Sequence, residues 1–454
     1  MLMKGMLRAC FVHLVFVSTS GLLFAEGAVE VIVQVNSSST ALVRGAEVEP
    51  MSVRMTSLRL EKGWLVVDDE NGLVAFDRAG DRVLKLHPGV KEYESTSLFA
   101  VFEYRLEAYR RLLSLEDFGY AESVRGTGLP RVLADHMIGI CDPEEPSVPE
   151  STESGGKRRW STGDQALASW STKGTRLTAD QMEMLVYWMR QTTGGHPMIL
   201  SDLVGGGMVP DSMDFLLNDG RTVKTVTIDL VGVREIPDID VPGQIGGWTR
   251  VTAGDGKDAF LVLLDWVLNR GEFTASVAAA GNEDYSKAEK AFQNGDPIRG
   301  ILETLRVEMV LGTSPAEELD RHLAQIRESR TATNIFASLG ASSPPEHLQA
   351  VQTLDVLKDA FEDQVAVLNV LSAQNLARMG QLGLAESSFR EAIMKDPSLA
   401  VAYQQLGDIF RATNRNSLGW LCYEAFGLIS PDHPANQQIR ELREALQTRF
   451  ADFF

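Results

Sequence analysis

The chain of 454 residues is 44% hydrophobic and 23% charged, an ordinary globular composition with length for two or three domains. Its formal net charge of -19 excludes general binding to nucleic acid or anionic lipid, since both need basic surfaces that replace counterions. Three well-separated cysteines, Cys10, Cys141 and Cys422, exclude a disulfide framework and CxxC metal or redox pairs.

Residues 1–25 carry Lys4 and Arg8, then an apolar run from Ala9 to Val17 broken by His13, and small Ala25 at the expected cleavage point. The apolar core is too short for a comfortable membrane span, so the pattern predicts a secretory signal, with an uncleaved anchor as the alternative. The expected product is exported, periplasmic or extracellular, with no stable membrane span after cleavage. Loss of Lys4 and Arg8 makes it two charges more acidic. Cys10 lies inside the apolar run after Arg8-Ala9, which is not the place of a lipidated cysteine.

From Val29 the chain predicts short strands at Glu30 to Val35, Met51 to Leu60, Trp64 to Asp68, Leu73 to Asp77 and Arg82 to His87. Lys62-Gly63, Asn71-Gly72 and Ala79-Gly80 supply positive-φ positions for tight antiparallel turns. Apolar spacing at Phe99, Phe102, Leu106, Tyr109 and Leu113 predicts a helix from Leu98 to Leu115. This meander loosely resembles exported half-barrel proteins of the lipoprotein-carrier kind over about 70 residues. The resemblance implies an apolar cavity behind Leu58, Leu60, Leu65, Leu84 and Leu86, holding a lipid or other apolar ligand. A plain packed sheet is the alternative reading of the same leucines.

Residues 142–158 are almost free of apolar side chains, and predict a disordered insertion or linker. Strands resume at Gln165 to Ser171, Ser212 to Asn218 and Val223 to Glu235, with Asp219-Gly220 as a hairpin turn. Between them Thr178 and Gln181 form a capping-box pattern for a helix Ala179 to Gln191. The β-rich domain is thus expected over 26–270.

The residues that invite catalysis lie in this part. Cys141 with His136 or His196 would be a nucleophile and base, since a thiolate needs an adjacent base, but no flanking signature accompanies them. Asp238 and Asp240 alternate as two carboxylates on one strand face would, yet solvated turn positions explain them better. Gly205-Gly-Gly207 lacks the lysine and spacing of a phosphate loop and reads as a turn. No catalytic residue, metal or cofactor is therefore assigned, and a hydrolase with an unrecognised site is kept only as an alternative.

After Trp248 the periodicity is helical: Lys257 to Asn269, Tyr285 to Phe292, Pro297 to Leu311, Pro315 to Arg327 and Glu346 to Phe361. Short loops between amphipathic helices favour antiparallel neighbours. From Ala366 to Pro431 two hairpins follow in which Leu376 and Phe410, Phe389 and Tyr423, and Asp396-Pro397 and Ser430-Pro431 are each 34 residues apart. This stretch resembles tetratricopeptide repeats, with Gly419 and Phe426 where the family has alanines, and a polar capping helix is expected from Gln438 to Arg449. The resemblance implies that the first helix of each repeat lines a concave groove through Gln374, Arg378, Gln404, Asp408 and Arg411. Such a groove would bind a protein or peptide, the two arginines holding a carboxylate; bracing the β domain or a homodimer is the alternative use of the repeats.

The expected fold class is α+β, with an N-terminal antiparallel sheet followed over 281–454 by an all-α array. The expected function is that of an exported adaptor or scaffold, with carriage of an apolar ligand as the alternative.

Overall fold

The computed structural model describes residues 27–117, 131–144, 146–252, 258–269 and 285–454. The expected leader, 1–25, lies outside the described residues. The fold is α+β: an N-terminal sheet of almost wholly antiparallel strands followed by a helical region.

The sheet begins with β1 (Val29–Ala41), β2 (Ser52–Glu61), β3 (Trp64–Asp69), β4 (Gly72–Asp77), β5 (Arg82–His87) and β6 (Glu92–Ser97), paired in sequence as a meander. Gly63 and Gly72 take positive φ at the tight turns, as expected. Between β4 and β5 it is Asp81 that adopts positive φ, while Gly80 serves a close approach: a Cβ there would meet the Asp77 carboxylate at 2.3 Å.

β1 is central because Val29, Val31, Val33 and Val35 are all buried. Its other edge pairs with β13 (Thr222–Glu235), followed outward by β12 (Ser212–Asn218), β9 (Gln165–Ser171), β8 (Lys157–Thr162) and β7 (Glu150–Ser154). The far edge is closed by β14 (Thr249–Val251), parallel to β6. A separate ribbon of β10 (Gly174–Arg176) and β11 (Met208–Pro210) brackets two helices.

Two departures from the sequence expectation lie here. Within 142–158, expected to be a disordered insertion, residues 150–154 and 157–158 belong to the β7–β8 edge hairpin. Gly155 and Gly156 turn it with φ of 61° and 74°, and Thr152 and Glu153 lie opposite Arg159 and Arg158. An edge strand needs backbone pairing more than burial, and charges on it discourage further pairing, so low apolar content did not imply disorder. β6 was not foreseen because its residues, Glu-Tyr-Glu-Ser-Thr-Ser, lack apolar alternation.

One face of the sheet is covered by α2 (Arg131–Ile138), α3 (Ala179–Thr192) and α4 (Pro197–Gly206). α3 opens on the expected capping box of Thr178 and Gln181, and packs Met182, Leu185 and Met189 over Leu58, Leu60 and Leu65. α4 ends on Gly207 in the left-handed conformation, so Gly205-Gly-Gly207 is a helix end. The opposite face, with Leu84 and Leu86, is covered by Val241 in α5 (Val241–Ile245), with Ile239 and Trp248 beside it. The five leucines expected behind one cavity are therefore divided between two faces, because Leu65 pairs with Phe76 and Phe76 with Val83, leaving Leu84 one residue out of phase.

The helices continue as α6 (Ala259–Asn269), α7 (Ser286–Gln293), α8 (Pro297–Leu311), α9 (Ala316–Arg321), α10 (Leu323–Glu328), α11 (Arg330–Leu339), α12 (Pro344–Ala360), α13 (Val365–Arg378), α14 (Leu382–Lys395), α15 (Ala400–Ala412), α16 (Asn416–Ile429) and α17 (Ala435–Arg449). The expected helix Pro315 to Arg327 is interrupted at His322, and α11, rich in weak helix formers, was not foreseen; Ser329 caps it by accepting from the Ala332 N–H at 3.2 Å.

The helical core takes in helices that lie next to the sheet in sequence. The domain boundary expected near 270 moves forward, because Phe260, Leu264 and Val267 of α6 are buried among the helical hairpins. Phe99 and Ala100 of α1 (Leu98–Asp117), the helix that leaves β6, join the same cluster. Among the described residues no helix is long and apolar enough to cross a membrane.

Candidate partner-binding groove

The two clear hairpins, α13–α14 and α15–α16, pack as the 34-residue echo requires. Leu376, Phe389 and Ala392 are buried in the first, and Phe410, Tyr423 and Phe426 in the second. α15 and α16 approach closely, so that a Cβ on Gly407 would meet the Tyr423 ring at 2.7 Å and one on Gly419 the Gly407 carbonyl oxygen at 3.0 Å. The earlier α7–α8 hairpin does the same with Gly300, where a Cβ would meet the Phe292 ring at 2.7 Å. Phe426, large for its place, is buried with its ring edge-on to His433 at 5.0 Å.

Gln374, Arg378, Gln404 and Asp408 line one shallow depression of about 380 Å³ on α13 and α15. Gln404 Nε2 donates to Asp408 Oδ2 at 2.7 Å, and the Tyr423 hydroxyl donates to Asp408 Oδ1. Arg378 is exposed at the rim, with no ion pair recorded for it among the described residues.

Arg411, expected to share the task of Arg378, is already engaged. Its Nε donates to Glu103 Oε1 of α1 at 3.0 Å, and its Nη2 to the same oxygen. The guanidinium lies over Trp420 and Tyr423, 5.4 and 5.7 Å from the ring centroids, and Trp420 Nε1 donates to Glu103 Oε2 at 3.0 Å. Burial works against its charge, but the bonds to Glu103 outweigh that and raise its pKa further. Arg411 thus fastens α1 to the hairpins, beside a second depression of about 560 Å³ shared with Glu107, Arg110 and Leu442.

A parallel clamp lies one turn along α16. The Glu424 carboxylate accepts from Arg250 Nη1 and Nη2 at 2.7 and 2.9 Å and from Arg82 Nη2 at 2.6 Å. Burial would raise its pKa; the two guanidinium groups outweigh it and hold the carboxyl below the ordinary range. Sequence reasoning missed Glu103 and Glu424. The available signal was a single acid four residues after a buried aromatic, Phe99 in one case and Trp420 in the other, on the flank of an apolar stripe.

The catalytic candidates His136, Cys141 and His196 are brought together around Asp135 and Ser147. Ser147 Oγ donates to Asp135 and lies 2.9 Å from His196 Nε2. His196 Nδ1 accepts from the Met198 N–H at 3.1 Å, so in the neutral ring the proton sits on Nε2 and is donated to Ser147. That nitrogen has no lone pair free to act as a base. Burial, then the Asp135 charge, pushes the Cys141 thiol up to about 11, keeping it protonated at neutral pH. His136 Nδ1 accepts from the His196 N–H at 2.9 Å, inside the same buried network. Asp240 caps α5 by accepting from the Gly243 N–H at 2.8 Å, a turn role.

Comparison with protein-family models and with curated proteins finds no match for this chain.

Proposed function

We propose that the chain is an exported, non-enzymatic interaction protein whose helical hairpins bind a protein or peptide segment along Gln374, Arg378, Gln404 and Asp408. The observation that carries this reading is the exposed Arg378 guanidinium, without an ion pair among the described residues, at the rim of a depression lined by the amides Gln374, Gln404 and Gln405, the Asp408 carboxylate, which is already bonded to Gln404 and Tyr423, and apolar groups including Leu382 and Ile409. A guanidinium in that setting takes a carboxylate bidentately, while Gln374 and Gln404 present donors and acceptors to an extended backbone. The resemblance to tetratricopeptide repeats supports the same face. Arg411 leaves the binding set and becomes the fastening of α1. The signal-like pattern of residues 1–25 supports export.

Affinity capture from the exporting compartment, with wild type, Arg378→Ala and Arg411→Ala side by side, tests the reading. One partner should be recovered with wild type and reduced at least about ten-fold by Arg378→Ala, the loss of a charge-assisted bidentate contact. Arg411→Ala should chiefly lower the melting temperature. Undiminished recovery with Arg378→Ala would sink the groove.

A further inference from the structure

Two clusters outside the groove gather metal-ligating atoms within 4.8 Å of one another: Asp135, Cys141 and His196, and Glu289, Glu318 and His322. The imidazole in each decides whether a cation fits. A metal on Nε2 of a neutral histidine puts the proton on Nδ1, which then needs an acceptor or open space. His196 fails this condition, since its Nδ1 faces the Met198 N–H, a donor. His322 meets it: its Nε2 lies 2.9 Å from Glu289 Oε2 and 3.9 Å from Glu318 Oε1, and no bond to its Nδ1 is recorded among the described residues.

We propose that Glu289, Glu318 and His322 form a binding site for a first-row divalent transition cation of the zinc class. The three side chains come from two neighbouring segments, Glu289 from α7, and Glu318 and His322 at i, i+4 spacing, the latter at the α9–α10 break. The His322 ring stacks on Phe292 at 3.9 Å with an interplanar angle of 6°, which fixes its plane. Glu318 is the telling group. Its side chain is only 6% exposed, Oε2 accepts from Arg321 Nη1 at 2.9 Å, and Oε1 has no hydrogen bond recorded among the described residues, its nearest recorded neighbour being His322 Nε2.

The observed separations of 2.9 and 3.9 Å bracket the edge of roughly 3.3 Å expected between ligands bonded at about 2.0–2.1 Å in a tetrahedral site. Charge agrees as well. Glu289, Glu317 and Glu318 against Arg321 leave two negative charges with His322 neutral, which a dication balances. An imidazole with two carboxylates favours zinc, nickel or cobalt over magnesium or calcium. The opening of about 520 Å³ lined by Tyr285, Ser286 and Arg321 leaves room for water ligands.

The test uses the full chain without a histidine tag, stripped with chelator and titrated with Zn²⁺ and with Mg²⁺ by calorimetry. The expected result is one zinc per chain, bound at least about ten-fold more tightly than magnesium. Zinc should also raise the melting temperature of wild type, as any ligand of the folded state does. Glu289→Gln, at a half-exposed position, should weaken zinc at least about ten-fold while melting like wild type in chelator, and His322→Ala, which also removes the stacking on Phe292, should weaken it as much and melt lower. Absence of stoichiometric zinc, binding undiminished in both variants, or loss of binding in Cys141→Ser instead would each overturn the site.

Discussion

His196 has both ring nitrogens committed and no exposed surface, and this determines its response to acid. Burial pushes it down to about 4 and its neighbour His136 down to about 3. Both folded values lie below the ordinary histidine value of about 6.5, so on acidification the unfolded chain takes up protons that the folded chain refuses. Stability contributed by the neutral rings is thus present above about 6.5 and lost as pH falls toward the folded values. Asp135, raised by burial, acts with the opposite sign. Replacing His196 by Asn keeps an acceptor for the Met198 N–H and removes one titration. Relative to that variant, wild type should lose about 1.4 kcal/mol of urea-measured stability per pH unit between about 6 and 4.5, and a flat difference would refute the assignment. Residue type alone drew attention to His136, Cys141 and His196 in the sequence. The hydrogen bonds that hold His196 were not legible there, because they depend on Ser147, which arrives from a stretch that reads as disordered, and on a backbone N–H at the start of α4. Arg378 and Arg411 likewise look alike as letters, but they stand 33 residues apart, one short of the 34-residue period, and Arg411 is the one that meets Glu103.

At the scale of the element, the α15–α16 hairpin is set by two glycines facing each other. Gly407→Ala places a methyl against the Tyr423 ring and should cost about 1–3 kcal/mol through overpacking. Gly383→Ala, at an exposed position of α14 where no atom lies within 4 Å of the added Cβ, should instead gain about 0.4–1 kcal/mol through helix propensity and unfolded-state entropy. Thermal denaturation of the two variants should shift in opposite directions. Elements of this kind were well marked in the sequence: the 34-residue echo, the capping box at Thr178 and the alternation of β1 are local patterns. β6, the β7–β8 hairpin and α11 were not, since each is held by pairing or packing that a neighbour supplies. Their own residues offer neither apolar alternation nor strong propensity, so tertiary context decided them.

Across the whole molecule, α16 joins what the sequence separates. Its Trp420 and Glu424 meet Glu103 of α1, Arg82 of β5 and Arg250 of β14, while Phe99 stacks on Trp420 at 4.8 Å. Sheet and helices should therefore unfold together, with far-ultraviolet dichroism and tryptophan fluorescence tracing one urea transition. Glu424→Ala leaves Arg250, 5% exposed, without its carboxylate, and should cost about 3–5 kcal/mol; the two probes should then separate. A single coincident transition at unchanged midpoint would count against the clamp. The α+β class was legible from the switch in periodicity, but the packing of α6 with the hairpins was not, because nothing in α6 distinguishes a helix closing a sheet from one opening an array. The clamp also carries a consequence for how the chain reaches its native state. Trp420 and Glu103 are 317 residues apart, and Glu424 and Arg82 are 342 apart, so these contacts close very long loops, and contacts of such high sequence separation slow folding. The hairpins α13–α16 can assemble from neighbours in sequence, whereas α1 must wait for α16. Until α16 docks, Phe99 lacks the Trp420 ring that stacks on it, and apolar surface left uncovered in this way is what makes an incompletely folded chain prone to aggregate.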